Sequence, residues 1–298
     1  MKNYQKLNNI FGWFTFAIAA MVYILTSEPT TSFWDCGEYI ATSYKLMVGH
    51  PPGAPLFQLM GRFFSLFAFN DVTHVARMVN TMSALASGFT ILFLFWSITM
   101  LAKKIALKYG EMTEGKMYAI LGSGLVGALA YTFTDSFWFS AVEGEVYATS
   151  SFFTAVVFWA MLKWEVVADK TTSVKWIILI AYLIGLSIGV HLLNLLTVPA
   201  MVFIFYFKKY KPTVKGIIFT FIISVALLGG ILYVIIPWIV KFAGKFELFF
   251  VNSIGLPFNS GTIIYFALII GLILWGIYYT QKKKKLVLNT IVLCFTFY

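Results

Sequence analysis

Two short segments combine acidic, histidine and proline residues in a chain that is otherwise apolar. The first is Phe33-Trp34-Asp35-Cys36-Gly37-Glu38-Tyr39, and His50-Pro51-Pro52-Gly53 follows it. Asp35 and Glu38 are three residues apart and share one face of a helix, where a carboxylate could take a proton from an incoming hydroxyl group. The spacing fits helix capping with an ion pair to Lys45 equally well, and the prolines also fit a rigid turn.

A second acidic cluster lies further along, at Glu143-Gly144-Glu145. In extended backbone, residues i and i+2 point the same way, so the two carboxylates could chelate a divalent cation. On a helix they would diverge. The alternative is that these acids complement the dipole of the helix that follows them. The sequence leaves both interpretations open.

The composition predicts an integral membrane protein. Hydrophobic residues make up 60% and charged residues 11% of the chain, whereas soluble domains have about 45–50% apolar and about 25% charged residues. The net charge of +10 does not indicate nucleic-acid binding, because the basic residues cluster between apolar runs, as topology signals do. Cys36 and Cys294 are the two cysteines and support no disulfide framework.

Apolar runs of roughly 20 residues, the length that crosses a bilayer, predict an all-α polytopic bundle of about eight to nine transmembrane helices. The final run is too short to cross, and we expect the domain 1–298 to be incomplete at its C-terminus. The predicted spans are 10–27, 79–101, 117–134, 146–162, 176–190, 193–207, 216–237 and 261–280, with a ninth beginning at Leu286.

The lysines and arginines predict the orientation. Most of the 22 basic residues fall on one side if the N-terminus is cytoplasmic. This places the region 28–78 outside as one long loop, in which residues 54–69 form an amphipathic helix at the outer interface. Most acidic residues and all three histidines then share the outer face. His191 and Asn194 lie at a tight turn on that side, which is either part of the site or a packing hairpin.

The motifs resemble the GT-C superfamily of membrane glycosyltransferases, most closely a bacterial family of unknown function related to a eukaryotic endoplasmic-reticulum protein O-mannosyltransferase. The resemblance rests on four segments, although Asp35 and Glu38 are separated here where O-mannosyltransferases usually have adjacent Asp-Glu. The segments are 33–39, 50–56, 139–147 and 189–196.

The resemblance implies an inverting transfer of mannose or a similar hexose from a polyprenyl-phosphate donor to a hydroxyl acceptor. Asp35 would be the base and Glu38 its companion, and a flanking cation would neutralise the leaving phosphate. Expected partners are the lipid bilayer, the lipid-linked donor and an exported protein or glycan, with the site on the periplasmic face of a bacterial inner membrane. The expected substrate-binding residues are His50, Lys45, Arg62, Arg77, Glu143, Glu145, His191 and Asn194.

Two rival functions remain from the sequence. A transporter or flippase of a lipid-linked or small substrate would favour ionisable groups at mid-membrane and helices broken in two matching halves. The carboxylates here cluster in external turns instead. A non-catalytic membrane scaffold, in which the outer acids merely hold loops together, is the other rival. No cofactor is expected to be required, and a divalent cation at Glu143 and Glu145 is the one alternative.

Overall fold

The computed structural model describes residues 2–297, and within this range the regular structure is helical, without strands. The described residues form α-helices joined by short 3₁₀ and π-helical turns. The helices are α1 (Lys2–Leu25), α2 (Cys36–Lys45), α3 (Pro55–Ser65), α4 (Val75–Ala106), α5 (Glu114–Thr132), α6 (Asp135–Ala141), α7 (Val146–Val167), α8 (Ser173–Ile188), α9 (Thr197–Lys209), α10 (Val214–Gly230), α11 (Ile236–Leu248), α12 (Ser260–Lys282) and α13 (Leu286–Phe295).

The all-α, multi-pass membrane fold is confirmed. Among the described residues, 6 helices are long and apolar enough to cross a membrane, or 7 if α5 and α6, which meet at 70°, count as one span. Each predicted span coincides with a helix. The number by length is lower than the eight to nine predicted, because α8 has 16 residues and α13 has 10.

The chain divides into two compact units. The first comprises the residues up to Lys163 together with Leu186–Asn194, and the second comprises Trp164–Gly185 and the residues from Leu195 onward. In the first unit, α1, α4 and α5 pack closely around Tyr23 and Phe95, which are fully buried. The Tyr23 hydroxyl donates to the carbonyl of Thr132 at 2.8 Å. These packed helices support the loops that carry the acidic residues.

The segment between α1 and α4 contains the short helices α2 and α3. Pro55 begins α3, where its missing N–H costs nothing. The polar stripe of α3, including Gln58 and Ser65, is buried, whereas the apolar side chains of Leu59 and Phe63 are exposed. The packing face of this helix therefore carries its polar residues together with Phe57, which is fully buried. An outward apolar face is what a lipid environment accommodates.

The second unit contains most of α8 and helices α9 to α13. A rod from Val214 to Ser253 has 40 residues, about 60 Å at 1.5 Å per residue, so it is twice as long as a bilayer crossing requires. Beside it, an apolar cavity of about 740 Å³ lies between side chains such as Phe205, Leu227 and Ile291. The carboxylate of Glu247 accepts hydrogen bonds from the amides of Asn259 and Thr262, which caps the start of α12.

Candidate active site

Asp35 lies at the entrance to α2, and its carboxylate is not used as a helix cap. It occupies the N-cap position, but its side chain makes no capping hydrogen bond and is 56% exposed. Just before it, Trp34 adopts a left-handed backbone conformation with φ of 59°, which turns the chain into the helix. Capping therefore does not account for Asp35, and its carboxylate is available to an incoming group.

Glu38 and His50 form the best-defined pair of the site. The amide N–H of His50 donates to Glu38 Oε1 at 2.7 Å, and Nδ1 of the ring lies 3.1 Å from Oε2. The amide of Gly53 donates back to the carbonyl of His50 at 2.8 Å, closing the turn through the two prolines. The His-Pro-Pro segment is thus a rigid turn, as one interpretation predicted, and it also carries His50 onto the acid of α2.

This contact fixes the electrostatics of the pair. Hydrogen bonds from the amide and ring of His50 hold the pKa of Glu38 below its ordinary value. An ionised carboxylate can only accept, so Nδ1 of His50 donates, and Nε2 lies 3.8 Å from Asp35 Oδ2. Asp35, Glu38 and His50 each offer one ligand atom within 4.8 Å of the others, but both oxygens of Glu38 are already hydrogen-bonded.

Glu143 and Glu145 are buried in the turn between α6 and α7. Their exposed fractions are 3% and 6%. The amide of Glu145 donates to the carbonyl of Glu143 at 2.9 Å, which makes this a tight turn. Extended backbone, the condition under which the two carboxylates could chelate a cation side by side, is not what the structure has here.

The position of this turn is fixed by its close packing against α4 and α2. A Cβ on Gly144 would lie 2.9 Å from Oδ1 of Asn80 and 3.2 Å from Cγ1 of Ile40, so only glycine lets the turn rest against α4 and α2. Asn80 also donates to the carbonyls of Glu28 at 2.6 Å and Thr30 at 2.9 Å. The role of Asn80 in holding this loop was not predicted from the sequence. An asparagine inside an apolar helix is the pattern that indicates such a buried polar contact.

Burial sets the protonation of the turn. Burial is the largest of the causes that raise the pKa of Glu145 to about 7, the charges of Glu143 and Asp35 also raise it, and His50 opposes them. Burial also raises the pKa of Glu143. Burial raises the pKa of Tyr39 to about 12, and the ring of Tyr39 lies 5.8 Å from that of His50. These groups therefore form one electrostatically connected cluster.

The turn between α8 and α9 lies against the start of α3. The carbonyl of Gly189 accepts from the amide of Leu56 at 2.7 Å. The ring of His191 lies 5.3 Å from that of Tyr147, two residues after Glu145. Asn194 is fully buried, and its amide donates to the hydroxyl of Ser187 at 2.7 Å, which closes the turn.

The three cations expected near the leaving phosphate lie in two different places, around Tyr44 and near the start of α4. Arg62 donates to the carbonyl of Tyr44 at 3.0 Å, and both Arg62 and Lys45 lie over the Tyr44 ring. This is the opposite end of α2 from Asp35, about 15 Å away at 1.5 Å per residue. Arg77 is exposed near the start of α4.

Comparison with known proteins identifies the relatives of this chain. The sequence model of the family described as "Protein O-mannosyl-transferase TMEM260 N-terminal domain" matches residues 35–214. A protein O-mannosyl-transferase tmem260 of Dictyostelium discoideum is 25% identical over 197 residues, covering 64% of this chain and 22% of the relative. The mouse protein O-mannosyl-transferase TMEM260 is 27% identical over 180 residues, covering 60% of this chain and 22% of the relative.

The match spans about a fifth of the length of these relatives. It nevertheless includes all the residues of the acidic cluster, from Asp35 through His50 to Glu145, and the turn at His191. No solved structure matches the chain. The similarity is therefore centred on the part of the protein that carries the candidate site.

Proposed function

This chain belongs to the family of the TMEM260 N-terminal domain, and from that membership we propose that it is a membrane glycosyltransferase that transfers mannose or a similar hexose to a hydroxyl group. The observation that carries the proposal is the exposed Asp35 carboxylate beside the Glu38–His50 pair, inside the matched region. The relatives are named as protein O-mannosyl-transferases. The acceptor that fits best is a serine or threonine of an exported protein.

The proposed reaction is an inverting displacement from a polyprenyl-phosphate sugar. The acceptor oxygen attacks the anomeric carbon and forms the new glycosidic bond, while the bond from that carbon to the phosphate oxygen breaks. The phosphate leaves with the electron pair, and Asp35 takes the proton of the acceptor hydroxyl. General-base assistance of this kind contributes about 10² to 10⁴ in rate. The reaction as proposed requires no cofactor.

The buried carboxylates suit a different role. Glu145, with a pKa of about 7, is poorly suited to remain ionised beside Asp35. A partly protonated carboxyl both donates and accepts hydrogen bonds, as the hydroxyl groups of a sugar require. We assign Glu143 and Glu145 to binding the sugar or acceptor, and Asp35 to the proton transfer.

The test is a transfer assay on membranes containing the full-length protein. We expect radiolabelled mannose to move from polyprenyl-phosphate mannose to a serine- or threonine-containing peptide. Nucleotide mannose in membranes depleted of polyprenyl phosphate is the matched donor control and is expected to be inactive. Transfer should survive EDTA. Movement of the intact lipid-linked sugar across the membrane without transfer would favour a transporter instead.

We further propose that the site faces the external or periplasmic side, with the N-terminus in the cytoplasm. Cys36 is fully buried and cannot report on this, whereas Val48 is 95% exposed in the same loop. A Val48→Cys variant on a background with both native cysteines replaced by alanine should react with an impermeant maleimide added outside. Reaction only after the membrane is permeabilised would reverse the proposed orientation.

A further inference from the structure

The turn between α8 and α9 fixes which nitrogen of His191 carries the proton. Nδ1 of His191 accepts a hydrogen bond from the amide of Leu193 at 3.1 Å. A ring nitrogen that accepts must have a free lone pair, so in the neutral imidazole the proton is on Nε2. Burial lowers the pKa of His191, which favours this neutral form near pH 7. The side chain therefore offers an uncharged N–H donor.

His50 is held in the opposite arrangement. Its Nδ1 contacts the carboxylate of Glu38 at 3.1 Å and must donate, and its Nε2 lies 3.8 Å from Oδ2 of Asp35. The same unit thus holds one histidine that donates through Nδ1 and lies between two carboxylates, and a second histidine that donates through Nε2 beside Tyr147. His50 is engaged by the acids of α2, whereas the Nε2–H of His191 can face a developing negative charge.

The position of His191 favours a lipid-linked anion as its partner. α8 ends at Ile188, and the next apolar span begins at Leu192. His191 therefore lies in the short non-helical turn between two apolar helices, and we expect this turn to lie at the edge of the hydrocarbon layer. The carbonyl of Gly189 binds the amide of Leu56 at 2.7 Å, so the turn is anchored to the segment that carries the acidic cluster. A phosphate at the head of a membrane lipid would lie at this depth.

The phosphate of the lipid-linked sugar needs a hydrogen-bond donor near the turn that carries His191. Arg62 and Lys45 are gathered around Tyr44 at the far end of α2, and the carboxylates of Asp35 and Glu38 would repel an anion. A partly shielded N–H donor can stabilise the charge on a phosphate oxygen through a hydrogen bond. We propose that the Nε2–H of His191 binds a non-bridging phosphate oxygen of the polyprenyl-phosphate donor. The identity of this donor rests on the function proposed above.

Two substitutions separate donation to the ligand from support of the turn. In His191→Asn the side-chain oxygen can replace Nδ1 and accept from Leu193, but no donor reaches the Nε2 position. In His191→Gln the amide nitrogen replaces the Nε2 donor, and the Nδ1 acceptor is lost. Binding of farnesyl phosphate to the full-length protein in nanodiscs would be measured for both variants and the native protein, with farnesol and inorganic phosphate as comparison ligands.

We expect His191→Asn to bind farnesyl phosphate about tenfold or more weakly, as loss of a hydrogen bond to a charged group implies. His191→Gln should stay within about threefold of the native protein, and farnesol should bind all three alike. Retained affinity in His191→Asn with loss in His191→Gln would show that His191 only supports the turn, and equal loss in both variants would also overturn the assignment. Inorganic phosphate competing as well as farnesyl phosphate would also overturn the assignment.

The binding assay and the transfer assay fail separately. If the native protein binds farnesyl phosphate and distinguishes the two variants, yet transfers no sugar, the phosphate contact stands and the transferase proposal fails. If transfer occurs and both variants bind alike, the transferase proposal stands and His191 has no contact with the phosphate.

Discussion

The two carboxylate pairs of the first unit have opposite surroundings. Asp35 and Glu38, the exposed pair, lie at the start of α2 and face His50. Glu143 and Glu145, the buried pair, lie in a turn against α4 and have exposed fractions of 3% and 6%. Hydrogen bonds lower the pKa of Glu38, whereas burial raises that of Glu145 to about 7. Environments that push pKa values apart assign different protonation states, and so different tasks, to chemically similar groups.

The largest expected effect is at the exposed pair, in Asp35→Asn. The amide keeps the size of the side chain but cannot accept a proton, so transfer should fall by about 10² to 10⁴. Because Asp35 makes no capping bond, insertion and thermal stability should be unchanged. The measurement is initial transfer rate at matched protein level. Native activity in this variant would show that Asp35 is not the base. The different surroundings of the two carboxylate pairs would then not explain catalysis.

Glu38→Gln should lower the transfer rate by about 10-fold to 100-fold, which is less than Asp35→Asn, because Glu38 orients His50 and does not take the proton itself. Glutamine can accept only one of the two hydrogen bonds that His50 now donates, so the imidazole loses its fixed tautomer and orientation. Asp71→Asn is a matched control in the same loop, since Asn can still accept from the amide of Thr73. An equal loss in that control would mean that the loop is disturbed generally.

Much of the fold could be predicted from the sequence because long apolar runs leave few alternatives to membrane helices. The acidic character of the loop before α4 was equally visible. The Glu38–His50 contact was not, since it depends on the three-dimensional path of the Pro51–Pro52 turn. Likewise, a polar stripe on residues 54–69 indicates an amphipathic helix, but only the structure tells that this stripe is the packing face and that Arg62 is held by Tyr44.

Gly144→Ala tests whether the buried pair depends on close packing. The added Cβ would meet the side chains of Asn80 at 2.9 Å and Val79 at 3.0 Å, and overpacking of this kind costs about 1–3 kcal/mol. We expect a lower melting temperature and a transfer rate reduced several-fold. Gly122→Ala is the matched control, because a Cβ there meets nothing within 4 Å and alanine is the better helix former. Equal melting temperatures for the two variants would exclude the packing role.

The smallest expected effect is the pH dependence of Glu145→Gln. The pKa of Glu145 is raised from 4.5 to about 7, so between these values the folded protein keeps a proton that the unfolded chain releases. The stability of the native protein should therefore fall as pH rises through this window. Glutamine mimics the protonated acid and does not titrate, so the variant should melt at a more constant temperature from pH 5 to pH 8.

At pH 8 the Glu145→Gln variant should be the more stable of the two proteins, and below pH 7 its transfer rate should stay within a few-fold of native. These two results are expected if Glu143 and Glu145 bind substrate in their protonated form while Asp35 and Glu38 are ionised. The measurements are melting temperature and transfer rate across the pH range. A pH-dependent fall in stability that persists in Glu145→Gln would assign the titration to another group. A loss of transfer as deep as that of Asp35→Asn would mean that the buried pair is needed ionised.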